Sequence, residues 1–152
     1  MIAPGAGQRV LDRRARTERS FLALCVALPR DGVVALARTS DDVFTDGPAR
    51  RAAELLRERL TERGLDDAPT GDAQLDALLA AVAARAERLD ATPAGLELEA
   101  LQLERARLER EIGVARTAGS HAIDELQADR ARVQTRIDDA LAASWRATES
   151  HA

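Results

Sequence analysis

The segment "LELEALQLERARLEREIGVARTAGSHAIDELQADRARVQTRIDDAL", residues 96–141, decides how this chain folds. It is charged, rich in Leu, Ala, Glu and Arg, and nearly free of turn formers except at Gly113 and at "AGS", residues 118–120. Such a composition favours helix, and its apolar residues recur in alternating steps of three and four, the spacing that lines them along one helical stripe. One stripe reads Leu98, Leu101, Arg105, Leu108, Ile112, Ala115; the other reads Ile123, Leu126, Arg130, Val133, Ile137, Ala140. If the chain reverses at Gly119, Ala115 meets Ile123, Ile112 meets Leu126, Leu108 meets Arg130, Arg105 meets Val133, Leu101 meets Ile137 and Leu98 meets Ala140. Every stripe position finds a stripe position, which specifies an antiparallel helical hairpin with a short connection. Each arm spans about 35 Å at 1.5 Å per residue. A reversal at Gly113 would spoil that register, so Gly113 falls inside the first arm at a cost of ~1 kcal/mol relative to Ala.

Working outward toward the N-terminus, "DATPAG", residues 90–95, separates the hairpin from a helix opened by Asp72, with Leu75, Leu78, Leu79, Val82, Ala86 and Leu89 on one face. "LDDAPTG" before it is a linker. A helix from Pro48 to Arg63 has Asp46 or Gly47 as its cap, Gly64 past its end and a stripe of Ala52, Leu55, Leu56 and Leu60. In the preceding loop "TSDDVFTDG", Val43 and Phe44 are apolar between acids and are expected to tuck inward as a plug. A short helix covers "GVVALAR". The first helix is expected from Thr17, as cap, to Leu28, with Phe21, Leu24, Cys25 and Leu28 on its buried face and Pro29 ending it. The expected fold is therefore all-α: a flexible linker at 1–14, a small helical bundle at 15–92, a long antiparallel C-terminal helical hairpin at 93–145 and a disordered tail at 146–152.

Composition excludes several functions. All 22 basic side chains are Arg, yet 26 acids leave a net charge of −4, which argues against a general nucleic-acid binder because phosphate neutralisation needs a basic face. The arginines at 9, 13, 14, 16 and 19 read as a solvated linker and first turn, with a nucleic-acid contact as the alternative. No apolar run approaches the ~20 residues that cross a bilayer, and the N-terminus lacks the apolar core of a signal peptide, so a cytoplasmic location is expected. Lone Cys25 reads as a small buried hydrophobe.

Catalytic vocabulary is sparse. The sequence has no CxxC, HExxH, GxxxxGK[ST] or GxSxG pattern. His121 and His151 have no second ligand at metal spacing, and the acid pairs Asp41-Asp42, Asp66-Asp67 and Asp138-Asp139 lack a partner base. No catalytic residue, metal ligand or cofactor is expected.

The stretch "TERSFLALCVALPRDG" followed by "DDVFTDGPARRAAELL" resembles the C-terminal, helicase-binding domain of bacterial DNA primase. The likeness rests on Glu18 ahead of Leu22, Leu24 and Leu28, then Pro29, the acid-x-Phe loop of Asp42 and Phe44, and Arg50 and Arg51 opening the next helix. The ending, "LELEALQLERARLEREI" and "IDELQADRARVQTRIDDAL", is similar to that domain's long helix and terminal hairpin, so the resemblance covers residues 15–145. The N-terminal domain of the replicative helicase shares the fold and is one alternative; a homodimeric coiled-coil adaptor is the other. The resemblance implies a non-catalytic interaction module whose parent chain is a primase, a DNA-directed RNA polymerase. It implies docking on the N-terminal domains of the hexameric replicative helicase, mainly through the hairpin, and in some family members on single-stranded-DNA-binding protein too. The hairpin residues this assigns to the partner are Arg105, Leu126, Arg130, Val133, Arg136, Ile137, Leu141 and Trp145. Two readings stay open for the seam arginines: their heads reach water over the seam, with Glu109 as helical partner of Arg105, or they splay to offer a basic spot. For Trp145 the readings are an exposed or back-packed terminal aromatic and a partner anchor.

Overall fold

The computed structural model describes residues 6–150, with side chains described from residue 13. The fold is all-α: the described residues form six α-helices, one 3₁₀ turn and a two-stranded ribbon. It divides into two compact units, the first ending at Leu96 and the second starting at Glu97. The boundary expected between 92 and 93 thus falls four residues later, inside a helix, and Leu96 at the end of the first unit is buried.

Helix α1 runs Ala6–Ala27 and α2 Pro29–Arg38. The first helix starts eleven residues before the expected Thr17, so residues 6–14 are helical where a linker was expected; residues 1–5 lie outside the described residues. Thr17 is not a cap. Its hydroxyl donates to the Arg13 carbonyl at 3.0 Å, the back-bond by which a mid-helix Thr satisfies itself. Pro29 acts as expected on α1 and also starts α2 as its first residue, where a missing N–H costs nothing. The two helices cross so closely that a Cβ on Gly32 would lie 2.2 Å from the Cys25 carbonyl oxygen.

Val43 and Phe44 are the inward plug the loop composition predicts, 3% and 0% exposed, and the Phe44 ring stands 6.2 Å from that of Phe21. Helix α3, Gly47–Arg59, is capped by Asp46, whose Oδ2 accepts from Ala49 N–H. It buries Ala49, Ala52, Ala53 and Leu56. It ends four residues before the expected Arg63: Leu60–Thr61 (β1) turns back through Gly64–Leu65 (β2), with Leu60 opposite Leu65 and Thr61 opposite Gly64. Gly64 sits at φ +127°, which a side chain would oppose. Leu60 stays buried in either conformation, so the stripe alone could not separate the last helical turn from a strand.

Helix α4, Ala73–Arg88, opens as expected, with Asp72 Oδ1 accepting from Gln74 and Leu75 N–H. It buries Leu78, Val82 and Ala86 and packs chiefly on α1 and α3. Arg57 on α3 closes the end of α2: its guanidinium donates to the Leu36 and Thr39 carbonyls at 3.1 and 2.8 Å and pairs with Asp41. A cation there answers the carbonyls left free at a helix C-terminus.

The second unit holds most of α5, Pro93–Ala118, and all of α6, Ile123–Ser150. Thr92 caps α5 by accepting from Gly95 N–H, and Pro93 takes its first position. The reversal is at Gly119, φ +65°, with its N–H on the Arg116 carbonyl at 3.3 Å and the Ser120 N–H on the Ala115 carbonyl at 2.9 Å. That paired closure is a Schellman motif, whose left-handed position favours glycine. Gly113 is helical, as the register required. Residues 146–150 continue α6 where a disordered tail was expected; residues 151 and 152 lie outside the described residues. Ala, Arg and Glu carry the helix through that stretch, because each has good intrinsic propensity.

Candidate docking surface on the helical hairpin

Three polar contacts fix how α6 runs back along α5. Arg105 Nη1 donates to Gln134 Oε1 at 2.9 Å, Arg130 Nε lies 3.6 Å from Glu109 Oε1, and Arg136 Nη2 lies 3.7 Å from Glu97 Oε1. The first two fall within one residue of the register expected for a reversal at Gly119, and the third is displaced from it by five residues. Along α5 the seam residues Leu101, Leu108, Ile112 and Ala115 are buried. Along α6 only Ile137 is buried among the described residues, while Leu126 and Val133 are half-buried.

The eight hairpin residues assigned to a partner therefore separate into two sets. Ile137 is buried, and Val133 and Leu126 are half-buried, at the positions expected to face the seam. Arg105 is half-buried and spent on Gln134; Arg130 is exposed and paired across the hairpin. Glu109 is thus the partner of Arg130, not of Arg105 as the i,i+4 spacing suggested, because the facing helix offers Arg105 an amide oxygen within reach. Each arginine thus has a polar partner on the facing helix. The second set faces outward: Arg136 is exposed with a loose link to Glu97, Leu141 is 40% exposed and Trp145 is 70% exposed. Leu141 and Trp145 stand four residues apart on α6, hence on one face one turn from each other.

Sequence reading missed two features of α5. Leu103 is buried although it lies off the seam, and Arg107 is held between Glu104 and Glu111, with contacts of 2.5 Å to each. The hydrogen bonds that Arg107 donates to the Glu104 carboxylate raise its pKa, with Glu111 adding to it against the cost of partial burial. Spacings of three and four residues were the available signal for this triad.

Elsewhere, Cys25 is fully buried, and burial pushes its thiol up to about 12, so it remains a neutral, unreactive hydrophobe. No group of His, Cys, Asp and Glu able to hold a metal ion occurs among the described residues, where His121 is exposed at the hairpin turn. No described helix is long and apolar enough to cross a membrane.

A long-range polar contact of three hydrogen bonds lies in the first unit. Glu18, on the buried side of α1 and only 1% exposed, accepts from Thr45 N–H at 2.6 Å, from the Thr45 hydroxyl at 2.8 Å and from Asp46 N–H at 3.2 Å. Its carboxylate thereby pins the Phe44 loop and stands at the N-terminus of α3, where the helix dipole favours negative charge. No family model, characterised protein or solved structure matches the chain.

Proposed function

We propose that this chain is the helicase-docking module of a bacterial DNA primase, a non-catalytic unit that couples primer synthesis to the replication fork by binding the hexameric replicative helicase. The observation that carries the reading is the two-unit build: a bundle through Leu96 followed by a hairpin whose last helix keeps an uncovered outer face. The resemblance implies that order of parts. Support also comes from the residues that carry the resemblance, since Glu18, its acid, binds Thr45 next to Phe44, its loop aromatic, whose ring stands near Phe21.

On this reading Leu141 and Trp145 supply the apolar anchor and Arg136 a rim charge. Aromatic residues at the centre of an interface, ringed by polar groups, carry a large share of binding energy. The homodimeric adaptor fits less well, because it needs the α5 seam for a second copy and Leu101, Leu108 and Ile112 are already buried within one chain.

The test is direct binding of the full chain to a hexameric bacterial replicative helicase, with sedimentation of the chain alone alongside. Binding by a monomer is expected. Absence of binding together with a stable dimer at micromolar concentration would overturn the reading in favour of the adaptor.

A further inference from the structure

We infer that the outward face of α1 is a contact surface for the phosphate backbone of single-stranded nucleic acid. The inference rests on α1 alone and stands independently of the proposed function.

Glu18 and Cys25 mark the buried side of α1. At 100° per residue, Arg13 and Arg16 fall on the opposite side, Arg19 on its edge, and position 9, also Arg, at the same register as Arg13 one turn earlier. Arg13, Arg16 and Arg19 are all exposed. Arg19 has a loose link to Asp46 at 3.6 Å; neither Arg13 nor Arg16 has an acidic partner among the described residues. Asp12 precedes Arg13 in the sequence and lowers the net charge of this stretch by one.

What lies between the arginines selects the ligand. Between residues 13 and 20 the remaining positions on this face are Thr17 and Ser20, both half-buried, with no large apolar side chain among them; one turn further along, Ala23 and Leu24 on the same side are buried, so the face ends there. A protein-binding patch concentrates aromatic and aliphatic residues at its centre, whereas Arg with Ser and Thr is the set that contacts phosphate and sugar. Successive arginines rise about 4.5–6 Å along the helix axis, a spacing suited to successive phosphates of an extended strand. The chain's overall charge of −4 makes the contact local and easily screened. Base identity has no reader here, so binding follows backbone charge and not sequence.

The experiment is fluorescence anisotropy of a labelled oligothymidylate of about twenty nucleotides titrated with the full chain at several salt concentrations. Each neutralised phosphate of a single strand contributes about −0.7 to the slope of log K against log salt, so three to four contacts give a slope between about −2 and −3. In Arg13→Glu/Arg16→Glu the slope should move toward zero by about 1.4 or more, with binding at low salt falling at least tenfold. The charge-matched Arg132→Glu/Arg146→Glu, altered on α6, should keep the wild-type slope. Circular dichroism confirms that both variants are folded. No binding at low salt, equal losses in the two variants, or tighter binding of a poly-glutamate peptide than of the oligonucleotide would each overturn the inference, the last assigning the face to an acidic protein.

Discussion

Glu18→Gln isolates the contribution of the buried carboxylate to the first unit. The substitution keeps volume and shape and exchanges one acceptor oxygen for a donating amide. In the wild type one oxygen serves both groups of Thr45 and the other serves Asp46 N–H. Whichever way the amide turns, its NH2 faces a backbone or hydroxyl donor. If it faces Asp46, that N–H loses its acceptor, at a cost of about 1–3 kcal/mol for a buried group. The two bonds kept by the amide oxygen lose their ionic character, and a bond to a charged group is worth roughly 1 kcal/mol more than a neutral one. The sum is about 3–5 kcal/mol. For a unit of this size each kcal/mol moves Tm by roughly 4–8 °C, so a drop of at least about 12 °C is expected.

Urea unfolding followed by circular dichroism at fixed pH reads the loss as a shift in midpoint at unchanged slope. Thr45→Val, which removes only the hydroxyl, should cost about 1 kcal/mol, and the two changes together should cost less than their sum because they share a bond. A Glu18→Gln protein within about 0.5 kcal/mol of wild type would refute the reasoning, since surface substitutions alone reach that size.

Other expectations rest on separate contacts. Gly32→Ala puts a methyl group into the Cys25 carbonyl, 2.2 Å away, so a loss of about 1–3 kcal/mol or more in urea unfolding outweighs the ~1 kcal/mol that Ala gains in helix propensity. Burial raises the Cys25 pKa above its unfolded value, so its contribution is complete below about pH 8.5 and fades as pH rises toward 12; by linkage each pH unit in that window lowers stability by about 1.4 kcal/mol, an effect that Cys25→Ala should remove. Arg130→Leu should change hairpin stability little, because its pair with Glu109 is half exposed on both sides, and a thermal melt reads this. The full chain, incubated with single-stranded DNA, nucleotides and a divalent metal, should make no primers; template-dependent RNA synthesis would contradict a non-catalytic role.

The hairpin was legible because both arms carry their own stripe and only one reversal pairs them, and because Gly119 supplies the left-handed residue that the turn needs. The plug at Val43 and Phe44 was legible for a similar reason, since two apolar residues among acids have nowhere favourable to go but inward. Thr17 misled because a residue type that suits a cap also survives inside a helix by bonding backwards. Leu103 was missed by following a single stripe, although Leu96 and Leu103 cannot share a face with Leu98 and Leu101 at 100° per residue, which signals a helix apolar on two sides. The resemblance singled out Glu18, but its acceptor role was not legible, because its three donors lie 27 and 28 residues away and backbone N–H groups leave no trace in a sequence.

The two arms of the hairpin differ in what folding asks of them. Helix α5 buries Leu101, Leu103, Leu108, Ile112 and Ala115, so most changes along it disturb packing. Helix α6 buries only Ile137 among its described residues, and positions 141–150 are all exposed. Packing therefore places no demand on Trp145, whose large apolar surface costs solubility when left in water. Trp145→Ala should leave thermal stability within about 0.5 kcal/mol of wild type, as for other surface substitutions. If the residue anchors the helicase, the same change should weaken that complex by about 2 kcal/mol, roughly thirtyfold. Emission of this single Trp should then shift to shorter wavelength on binding. A melt lowered by several degrees with unchanged affinity would instead show that Trp145 serves the fold and that the docking face has been drawn on the wrong side of α6.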